Sequence, residues 1–545
     1  MSVHRNDHRR TMTTVAVTVL FLAGSGTASA VVPTAPERPA ATAVTGPPSV
    51  VPSVRAFKAA SGPGWRPAPG SRVVIDGKSP GLADEGELLA RELGLAYGKT
   101  AAPGRGDIRL ALSGSASGPA ESYGITVSGG RVDVTGRDEA GVFYGTRTVK
   151  QAVRTTGALA EGTVTDGPAK PQRGLNLDIA RKYFTPGWIE ARLREMADLK
   201  LNQLVLHISD DQGFGIEIKN PKYAKSVSTA RLSQAQLAGI VKLAESLHIT
   251  VVPEIDSPGH LGAVLKSFPD LRLKDVNGQI VQGAIDISQA GAGPVIDELN
   301  KEFLPLFPGG AWHLGGDEYQ ALTRRNPEAS FPNLAAAARR LYGPNGTVKD
   351  LATRWLDDRA QALAPSKKRL KAWNDGFYTG GIAKADAAIE AEYWTGKEIG
   401  ARLPEGYLAE GRKVVNLNDA YLYYVLGQPN DFTYPTGQAI YEEWTPAVLR
   451  GSRPVPDAAR YQDSILGARL AVWCDRAGAQ TEAQVASGIR MPLAALSQKV
   501  WNAGQPTRSW SGFQELVGRA NPGGGLPQAG APPLDGGASA YRSPF

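Results

Sequence analysis

The feature that most constrains the fold is an alternation of short apolar segments with helical segments, which begins at Pro171 and repeats eight times. Pro186–Leu199, for example, keeps one apolar helical face between the first two segments. Strands that alternate with helices predict a parallel sheet, and eight such units predict an α/β fold, a (β/α)8 TIM barrel over residues 171–515. The eight predicted strands are Leu175–Ala180, Gln203–Asp210, Thr250–Asp256, Ala311–Glu318, Leu370–Asp375, Ala388–Thr395, Lys413–Asn418 and Ala468–Asp475.

These strands end in polar and aromatic side chains. In TIM barrels the active site lies at the C-terminal ends of the strands, so these residues are predicted to share one mouth. Carboxylates beside Trp and Tyr suit a sugar, whose hydroxyls bind charged acceptors and whose C–H faces pack on rings. The strand ends supply Asp178, Arg181, His207, Asp210, Asp211, Glu254, Asp256, His260, His313, Asp317, Glu318, Trp373, Asp375, Glu392, Trp394, Asn416, Asn418, Asp419, Tyr421, Tyr423, Trp473 and Asp475.

The fourth predicted strand carries the strongest catalytic signal. It runs from Ala311 into a Gly-Gly pair and then presents two adjacent carboxylates, Asp317 and Glu318. An arbitrary Asp-Glu pair is most often a solvated loop, because charged side chains are mostly exposed. Here His313 precedes the pair and seven other polar strand ends accompany it, so the pair is predicted to act on a bound substrate.

The rest of the chain divides by composition. A basic start, an apolar run too short to span a bilayer and a small-residue site at Ala28–Ala30 predict a cleaved secretory signal, and hence an extracellular protein. A module of strands and helices before the barrel is predicted to be a packing domain. The predicted segments are a signal peptide over 1–30, a Pro/Ala-rich spacer over 31–67, a small α+β domain over 68–168, the barrel over 171–515 and a Gly/Pro-rich tail over 516–545.

Charge and cysteine content limit the partners and the metal sites that the chain can have. The net charge is +7, of which three Arg and one Asp of the predicted signal contribute +2, and no dense Lys/Arg block occurs. Nucleic acid is therefore not an expected partner. Cys474 is the single cysteine, which excludes an internal disulfide and a thiolate metal cluster. No later segment is long and apolar enough to predict a membrane span.

Four ordered motifs resemble one known family. His313–Glu318, read as His-Leu-Gly-Gly-Asp-Glu, is similar to the signature of family 20 glycoside hydrolases, the β-N-acetylhexosaminidases. Arg173–Arg181, Leu201–Phe214 and Pro253–His260 are similar to the first three barrel strands of that family. The resemblance covers roughly residues 137–501. It implies a retaining exo-β-N-acetylhexosaminidase that needs no metal or cofactor and uses the 2-acetamido oxygen of its carbohydrate substrate as the nucleophile, through an oxazolinium intermediate.

The resemblance also implies roles for individual residues. Glu318 would be the general acid and base, and Asp317 would orient the acetamido N–H and stabilise its positive charge. The anion of Asp317 is expected to keep Glu318 protonated near neutral pH. The other implied substrate-binding residues are Arg181 for the sugar hydroxyls O3 and O4, Asp210 and His260 for the charge of the acid, Trp355, Trp373 and Trp473 for the aromatic walls, Tyr421 for the acetamido carbonyl and Asp475 for the far hydroxyls.

Some alternatives stay open. Many family members carry an acid or amide two residues beyond the tyrosine matched by Tyr421, whereas this chain has Tyr423, which resembles a bacterial subgroup that includes disaccharide-releasing lacto-N-biosidases. Trp444 is predicted either to stack on an acceptor sugar or to pack within its loop. The rival functions are a glycosidase with a carboxylate nucleophile such as Glu392, and a barrel that binds sugars without cleaving them. The natural substrate, the export route and the oligomeric state are not readable from the sequence.

Overall fold

The computed structural model of the chain describes residues 44–99, 102–113, 118–396 and 401–522. The predicted signal peptide and the tail beyond residue 522 lie outside the described residues. No helix in the described ranges is long and apolar enough to cross a membrane.

The N-terminal domain is one mixed sheet with two helices. Its sheet has the order β1-β7-β5-β6-β4-β2-β3 within the described residues, with antiparallel pairs on the β1–β7–β5–β6 side and parallel pairs on the other. Buried and exposed residues alternate along β5 and β6, so one face of the sheet is covered. The elements are β1 (Ala56–Ala59), β2 (Arg72–Ile75), α1 (Ala83–Leu93), β3 (Ala96–Gly98), β4 (Ile108–Leu112), β5 (Tyr123–Ser128), β6 (Arg131–Gly136), α2 (Glu139–Thr156) and β7 (Gly162–Asp166).

The prediction of a spacer over 31–67 is wrong for its described second half. Val50 and Val51 are buried, and the Val51 backbone N–H donates to the Gln151 side chain of α2 at 2.8 Å. Strand β1 pairs with β7, and Trp65 is also buried. The sequence did not predict this order, because the segment is rich in Pro and Ala and its few apolar residues have no periodicity. These residues become ordered only by packing against the rest of the domain.

The second domain is the predicted barrel. Among the residues that the structure describes, eight parallel strands close into a ring in the order β8-β9-β10-β13-β14-β15-β16-β18, and β18 pairs with β8. All eight predicted strands are confirmed. The elements are β8 (Gln172–Asp178), α3 (Pro186–Asp198), β9 (Gln203–His207), α4 (Gln234–Ser246), β10 (Thr250–Glu254), β11 (Arg272–Lys274), β12 (Ile280–Ile285), α5 (Ala292–Phe303), β13 (Ala311–His313), α6 (Pro327–Ser330), α7 (Pro332–Tyr342), α8 (Val348–Leu363), β14 (Arg369–Trp373), β15 (Glu390–Tyr393), α9 (Pro404–Ala409), β16 (Val414–Asn416), α10 (Asp419–Leu422), β17 (Tyr423–Val425), α11 (Gly437–Glu442), β18 (Ile465–Trp473), α12 (Glu482–Trp501) and α13 (Trp510–Ala520).

The C-terminal helices join the two domains. α12 starts at a capping box on Thr481 and ends at Trp501, whose indole N–H donates to Asp166 of β7 at 3.0 Å. α13 buries Phe513, Leu516 and Val517. The prediction of a tail from residue 516 is therefore wrong for its first residues, because an amphipathic helix continues to Ala520.

The barrel floor is polar and ion-paired. Lys371 of β14 contacts Glu390 at 2.5 Å and Glu392 at 3.3 Å, and Arg469 of β18 also pairs with Glu392. The side chains of Lys371, Glu392 and Arg469 are fully buried. Because buried charges are stable only when they are paired, these residues fix one another beneath the mouth of the barrel.

Candidate active site

Two glycines bring the paired acids into the mouth of the barrel. β13 ends at His313, and Gly315 and Gly316 follow with φ values of +73° and +104°. A Cβ on Gly315 would overlap the carboxylate of Asp256. The Gly316 backbone N–H donates to the Asp256 carboxylate at 2.8 Å. Only glycine allows this close crossing of the two loops, which sets Asp317 beside Asp256.

Asp317 is an almost buried acid. Its side chain is 13% exposed, and its Oδ1 atom makes no hydrogen bond among the described residues. Burial, reinforced by the negative charge of Asp256, raises the pKa of Asp317 well above its usual range. Asp317 therefore has a buried acceptor atom without a hydrogen-bond donor in the described part of the chain, in surroundings that favour its protonated form.

Glu318 lies beside it in a different environment. Its side chain is 48% exposed and its backbone is left-handed, with φ +47°. His260 Nε2 lies 3.4 Å from Glu318 Oε2, and this contact lowers the pKa of Glu318. The expectation that Glu318 is kept protonated is therefore wrong for the unliganded site, because the contact with His260 outweighs the effect of burial on the pKa of Glu318.

His260 connects three carboxylates. Its Nε2 atom lies 3.5 Å from Asp317, and its Nδ1 atom lies 3.4 Å from Asp210. Burial would lower the pKa of His260, but the charges of Asp317 and Asp210 overcome it and raise the pKa well above its usual value. His260 is therefore a cation placed between the acid pair and Asp210.

Asp210 and Arg181 form the next layer of the site. Arg181 forms an ion pair through Nη2 with Asp210 at 2.6 Å and donates through Nη1 to Asp178 at 2.9 Å. Burial would raise the pKa of Asp210, but Arg181 and His260 lower it well below its usual range. Arg181 is 12% exposed and lies over the Trp473 ring, so it closes one side of the mouth.

A second histidine ties this layer to an aromatic wall. His207 contacts Asp210 through Nε2 at 2.9 Å and Glu254 through Nδ1 at 3.1 Å. Glu254 also accepts the indole N–H of Trp373 at 2.6 Å. The buried His207 thus links the carboxylate under His260 to a ring that faces the site, a connection that sequence reasoning did not assign.

The aromatic lining converges on Trp473. The Trp473 ring centroid lies 5.8 Å from that of Trp373 and 5.9 Å from that of Tyr423. Trp394 stacks on Tyr423 at 5.6 Å with 5° between the planes. Trp355 lies apart from this group, where its indole N–H donates at 3.1 Å to Ser257, the residue after Asp256. The structure thus brings Trp373 and Trp473 together and places Trp355 against the loop after β10.

Tyr421 and Tyr423 have different partners in the structure. The Tyr421 hydroxyl donates to Glu443 at 3.0 Å, outside the acid pair, whereas Tyr423 packs on Trp473. Burial, together with the charge of Asp317, raises the pKa of Tyr423 well above its usual value, so its hydroxyl lies within electrostatic range of the acid. Tyr421 lies on the short helix α10, whereas Tyr423 begins β17, so the two side chains meet different neighbours.

Three other predictions have clear outcomes. Trp444 is fully buried, so its loop-packing alternative is correct. Glu392 is locked by Arg469, Lys371 and His313 with no exposed surface, which contradicts its role as a nucleophile. Asp475 remains exposed, with Arg181 within electrostatic range.

Two groups of three side chains have ligand atoms close enough for one cation. They are Asp210, Asp211 and His260, and Asp256, His260 and Asp317. Both contain His260, whose raised pKa keeps the imidazole protonated. Because a protonated imidazole has no lone pair to offer, neither group suits a metal in this state.

Comparison with known families decides the classification. Residues 171–503 match the catalytic domain of glycosyl hydrolase family 20. The chain belongs to glycosyl hydrolase family 20. Residues 47–167 match domain 2 of the same family, and this match includes residues 47–67 of the predicted spacer.

Known relatives and structures agree with the family. The chain is 28% identical to a lacto-N-biosidase of Bifidobacterium bifidum over 479 residues, 85% of this chain and 41% of that protein, and so spans less than half of that relative. It is 25% identical to a beta-N-acetylhexosaminidase of Cellulomonas fimi over 516 residues, 87% of this chain and 94% of the other.

Two solved structures show the same fold. One is a GH20 exo beta-N-acetylglucosaminidase from Vibrio harveyi in complex with N-acetylglucosamine, with a TM-score of 0.70, 19% identity and coverage of 88% of this chain and 78% of the other. The second is the GH20 beta-N-acetylhexosaminidase from Streptomyces coelicolor A3(2), with a TM-score of 0.67, 22% identity and coverage of 88% and 96%.

Proposed function

We propose that this family 20 member is a retaining glycosidase that releases β-linked N-acetylhexosamine with assistance from the substrate. The observation that carries the proposal is the unequal acid pair. Asp317 is buried with a free Oδ1 atom, while the adjacent Glu318 is half exposed at the mouth. One acid is thus placed to bind an amide N–H inside the pocket, and the other to reach the glycosidic oxygen and water.

The reaction then needs no enzyme nucleophile. The acetamido oxygen attacks the anomeric carbon while the bond from this carbon to the leaving oxygen breaks, and Glu318 gives its proton to that oxygen. Asp317 accepts the acetamido N–H and stabilises the charge of the oxazolinium ring. Glu318 then takes a proton from water, which adds to the anomeric carbon as the ring opens, so the configuration is retained.

Substrate binding supplies the protonation that this reaction needs. A sugar over Glu318 removes water from its exposed carboxylate, which raises its pKa. The acetamido N–H donates to Asp317, which lowers the pKa of Asp317. The two changes together favour transfer of the proton from Asp317 to Glu318, which places the charge on Asp317 when the ring is bound.

The remaining residues shape the pocket. Trp373, Trp473 and Tyr423 enclose the acetamido group, and we assign the carbonyl hydrogen bond to Tyr423 rather than Tyr421. Arg181 and Asp475 face the far hydroxyls. His260 supplies a positive charge next to the two acids, and Asp210 stabilises that charge.

A nucleophile test distinguishes this mechanism from one that uses a carboxylate. Wild-type protein is assayed on p-nitrophenyl β-glycosides whose 2-acetamido group carries zero to three fluorine atoms. Because fluorine weakens the carbonyl oxygen as a nucleophile, kcat/KM should fall with each fluorine, by about 100-fold or more over the series. A flat series would contradict substrate assistance.

A second candidate is release of a disaccharide, as the name of the lacto-N-biosidase relative indicates for that protein. The exposed Asp475 beside Arg181 favours it, because a second sugar would meet charged partners at this edge. Mass analysis of products from lacto-N-tetraose and from chitotetraose decides between them. Disaccharide from the first glycan supports the second candidate, and monosaccharide from chitotetraose supports the main proposal.

We also propose that residues 1–30 direct secretion. Their basic start, apolar run and Ala28–Ala30 site support this proposal. N-terminal sequencing of protein from the culture medium should give a chain that starts at Val31. Full-length chain retained in the cells would contradict it.

A further inference from the structure

Asp375 belongs to no role assigned so far, although it follows the fifth barrel strand. It lies in the turn after β14, two residues after Trp373 in the sequence, and it is partly buried. The Glu318 backbone N–H donates to Asp375 Oδ2 at 2.7 Å. The Trp394 indole N–H donates to the other oxygen, Oδ1, at 3.0 Å. One carboxylate therefore holds two parts of the mouth.

The bond to Glu318 acts on a backbone that would not hold its position alone. Glu318 has φ +47°, a left-handed conformation that a glutamate seldom adopts and that persists only when its surroundings impose it. The loop that carries Glu318 packs closely against the turn after β14, since a Cβ on Gly376 would lie 2.9 Å from the Gly316 carbonyl oxygen. Asp375 thus supplies the hydrogen bond that fixes the main chain of the proposed general acid.

The bond to Trp394 extends this support to the substrate side. Trp394 stacks on Tyr423 at 5.6 Å, and Tyr423 packs on Trp473. Asn374 reinforces the same junction, because its side chain accepts the Trp394 backbone N–H at 2.9 Å and donates to the Thr395 carbonyl at 2.9 Å. The ends of β13, β14 and β15 are therefore joined at Asp375.

We propose that Asp375 is a positioning residue, which sets the backbone of Glu318 so that its carboxyl meets the glycosidic oxygen and keeps Trp394 in register with the tyrosine wall. The inference rests on the proposed function. It predicts that the largest loss falls on the step in which Glu318 gives a proton, because Asp375 bonds the Glu318 backbone directly and reaches Tyr423 only through Trp394. A residue that merely stabilised the fold would lower all rates alike.

Leaving groups test this. A 2,4-dinitrophenol departs without a proton, whereas methanol or a second sugar departs only with one. Asp375→Ala should lower kcat/KM by about 100-fold on chitobiose and by less than about 3-fold on 2,4-dinitrophenyl β-N-acetylglucosaminide. Asp375→Asn should be intermediate, because its single carbonyl oxygen can accept only one of the two N–H donors without turning its amide toward the other.

Two matched variants complete the experiment. Trp394→Phe keeps the ring stack but removes the N–H donor. It should lower kcat/KM on chitobiose by about 10-fold and again change the rate on the dinitrophenyl substrate less. Asp357→Asn is the control, since Asp357 on α8 also accepts a backbone N–H, from Asp386 at 2.9 Å, before the start of β15 and away from the acids. Its rates should match those of the wild-type protein on both substrates.

The outcomes are distinguishable. An equal loss on both substrates, or no loss on either, in an Asp375→Asn protein that melts like the wild type would overturn the positioning role and leave the proposed function intact. A wild-type protein that hydrolyses neither substrate would refute the proposed function, and this inference with it. Binding of N-acetylglucosamine-thiazoline within about 3-fold of wild type in Asp375→Asn would show that the sugar pocket is preserved.

Discussion

A single imidazole makes two neighbouring acids unequal. His260 lies 3.4 Å from Glu318 and 3.5 Å from Asp317, yet the pKa of Glu318 is lowered while that of Asp317 is raised. The difference has two causes at Asp317. Burial raises its pKa most, and the negative charge of Asp256 raises it further. Adjacent residues in the sequence can therefore have opposite protonation preferences, which fits one acid for charge stabilisation and the other for proton transfer.

The exposed acid is the one that the reaction cannot lose. Glu318→Gln should lower kcat/KM for chitobiose by about 1,000-fold, because the amide cannot donate the proton and cannot activate water. Binding of the thiazoline inhibitor should stay within about 3-fold, since the buried pocket is unchanged. Steady-state kinetics and inhibition measure both quantities. A variant with more than a tenth of the wild-type rate would contradict the role of Glu318.

Two tyrosines two residues apart provide a matched pair. Tyr423→Phe should lower kcat/KM by about 10-fold or more, because the hydroxyl assigned to the acetamido carbonyl is removed. Tyr421→Phe should stay within about 3-fold, since the lost bond joins Tyr421 to the exposed Glu443. Both changes leave the rings in place, so thermal unfolding should be similar. Reversal of the two kinetic effects would restore the original assignment to Tyr421.

At the scale of elements, periodicity was a reliable guide. The eight barrel strands and the position of the acids at a strand end follow from alternation of apolar and polar residues, which local sequence encodes. The order of the segment from Val50 through β1 was missed, because Val50, Val51 and the β1 strand gain order from their contacts with other segments. Protonation states were missed for the same reason, since the closeness of Asp256 to Asp317 arises only from the fold.

The crossing of the loops after β10 and β13 depends on Gly315. Gly315→Ala should destabilise the protein by more than about 2 kcal/mol and abolish activity, because a Cβ would overlap the Asp256 carboxylate at a positive φ. Gly310→Ala is the control, since a Cβ there meets nothing within 4 Å. It should change stability by less than about 0.5 kcal/mol. Urea unfolding and the rate on chitobiose measure both, and a fully active Gly315→Ala protein would refute the close crossing.

At the scale of the whole molecule, the two domains share buried polar contacts. Lys200, which precedes β9, lies 3.3 Å from Asp166 of β7, and its ammonium faces the Trp501 ring of α12 at 4.6 Å. Neither Lys200 nor Asp166 has an exposed side chain. Because one partner left alone would be an unpaired buried charge, separation of the domains is costly, and the small domain acts as part of the barrel's support.

A second contact of this kind makes stability depend on pH. Glu85 of α1 is 2% exposed and contacts His248, which precedes β10, at 2.8 Å. Burial raises the pKa of Glu85 from 4.5 to about 7. The raised pKa means that the folded state holds the proton more tightly than the unfolded state does. The stabilisation is therefore complete below pH 4.5, declines as the pH rises, and is lost above about pH 7.

Glu85→Gln isolates this effect, because glutamine stays neutral and can still bond His248. The free energy of unfolding of the variant, relative to wild type, should rise by about 3 kcal/mol between pH 4.5 and pH 8. Urea unfolding at several pH values gives this difference, and the other titrating groups cancel in it. Glu87→Gln on the exposed side of α1 is the control and should give a constant difference. A constant difference for Glu85→Gln as well would mean that the pKa of Glu85 is the same in the folded and the unfolded protein, which would contradict the effect of burial.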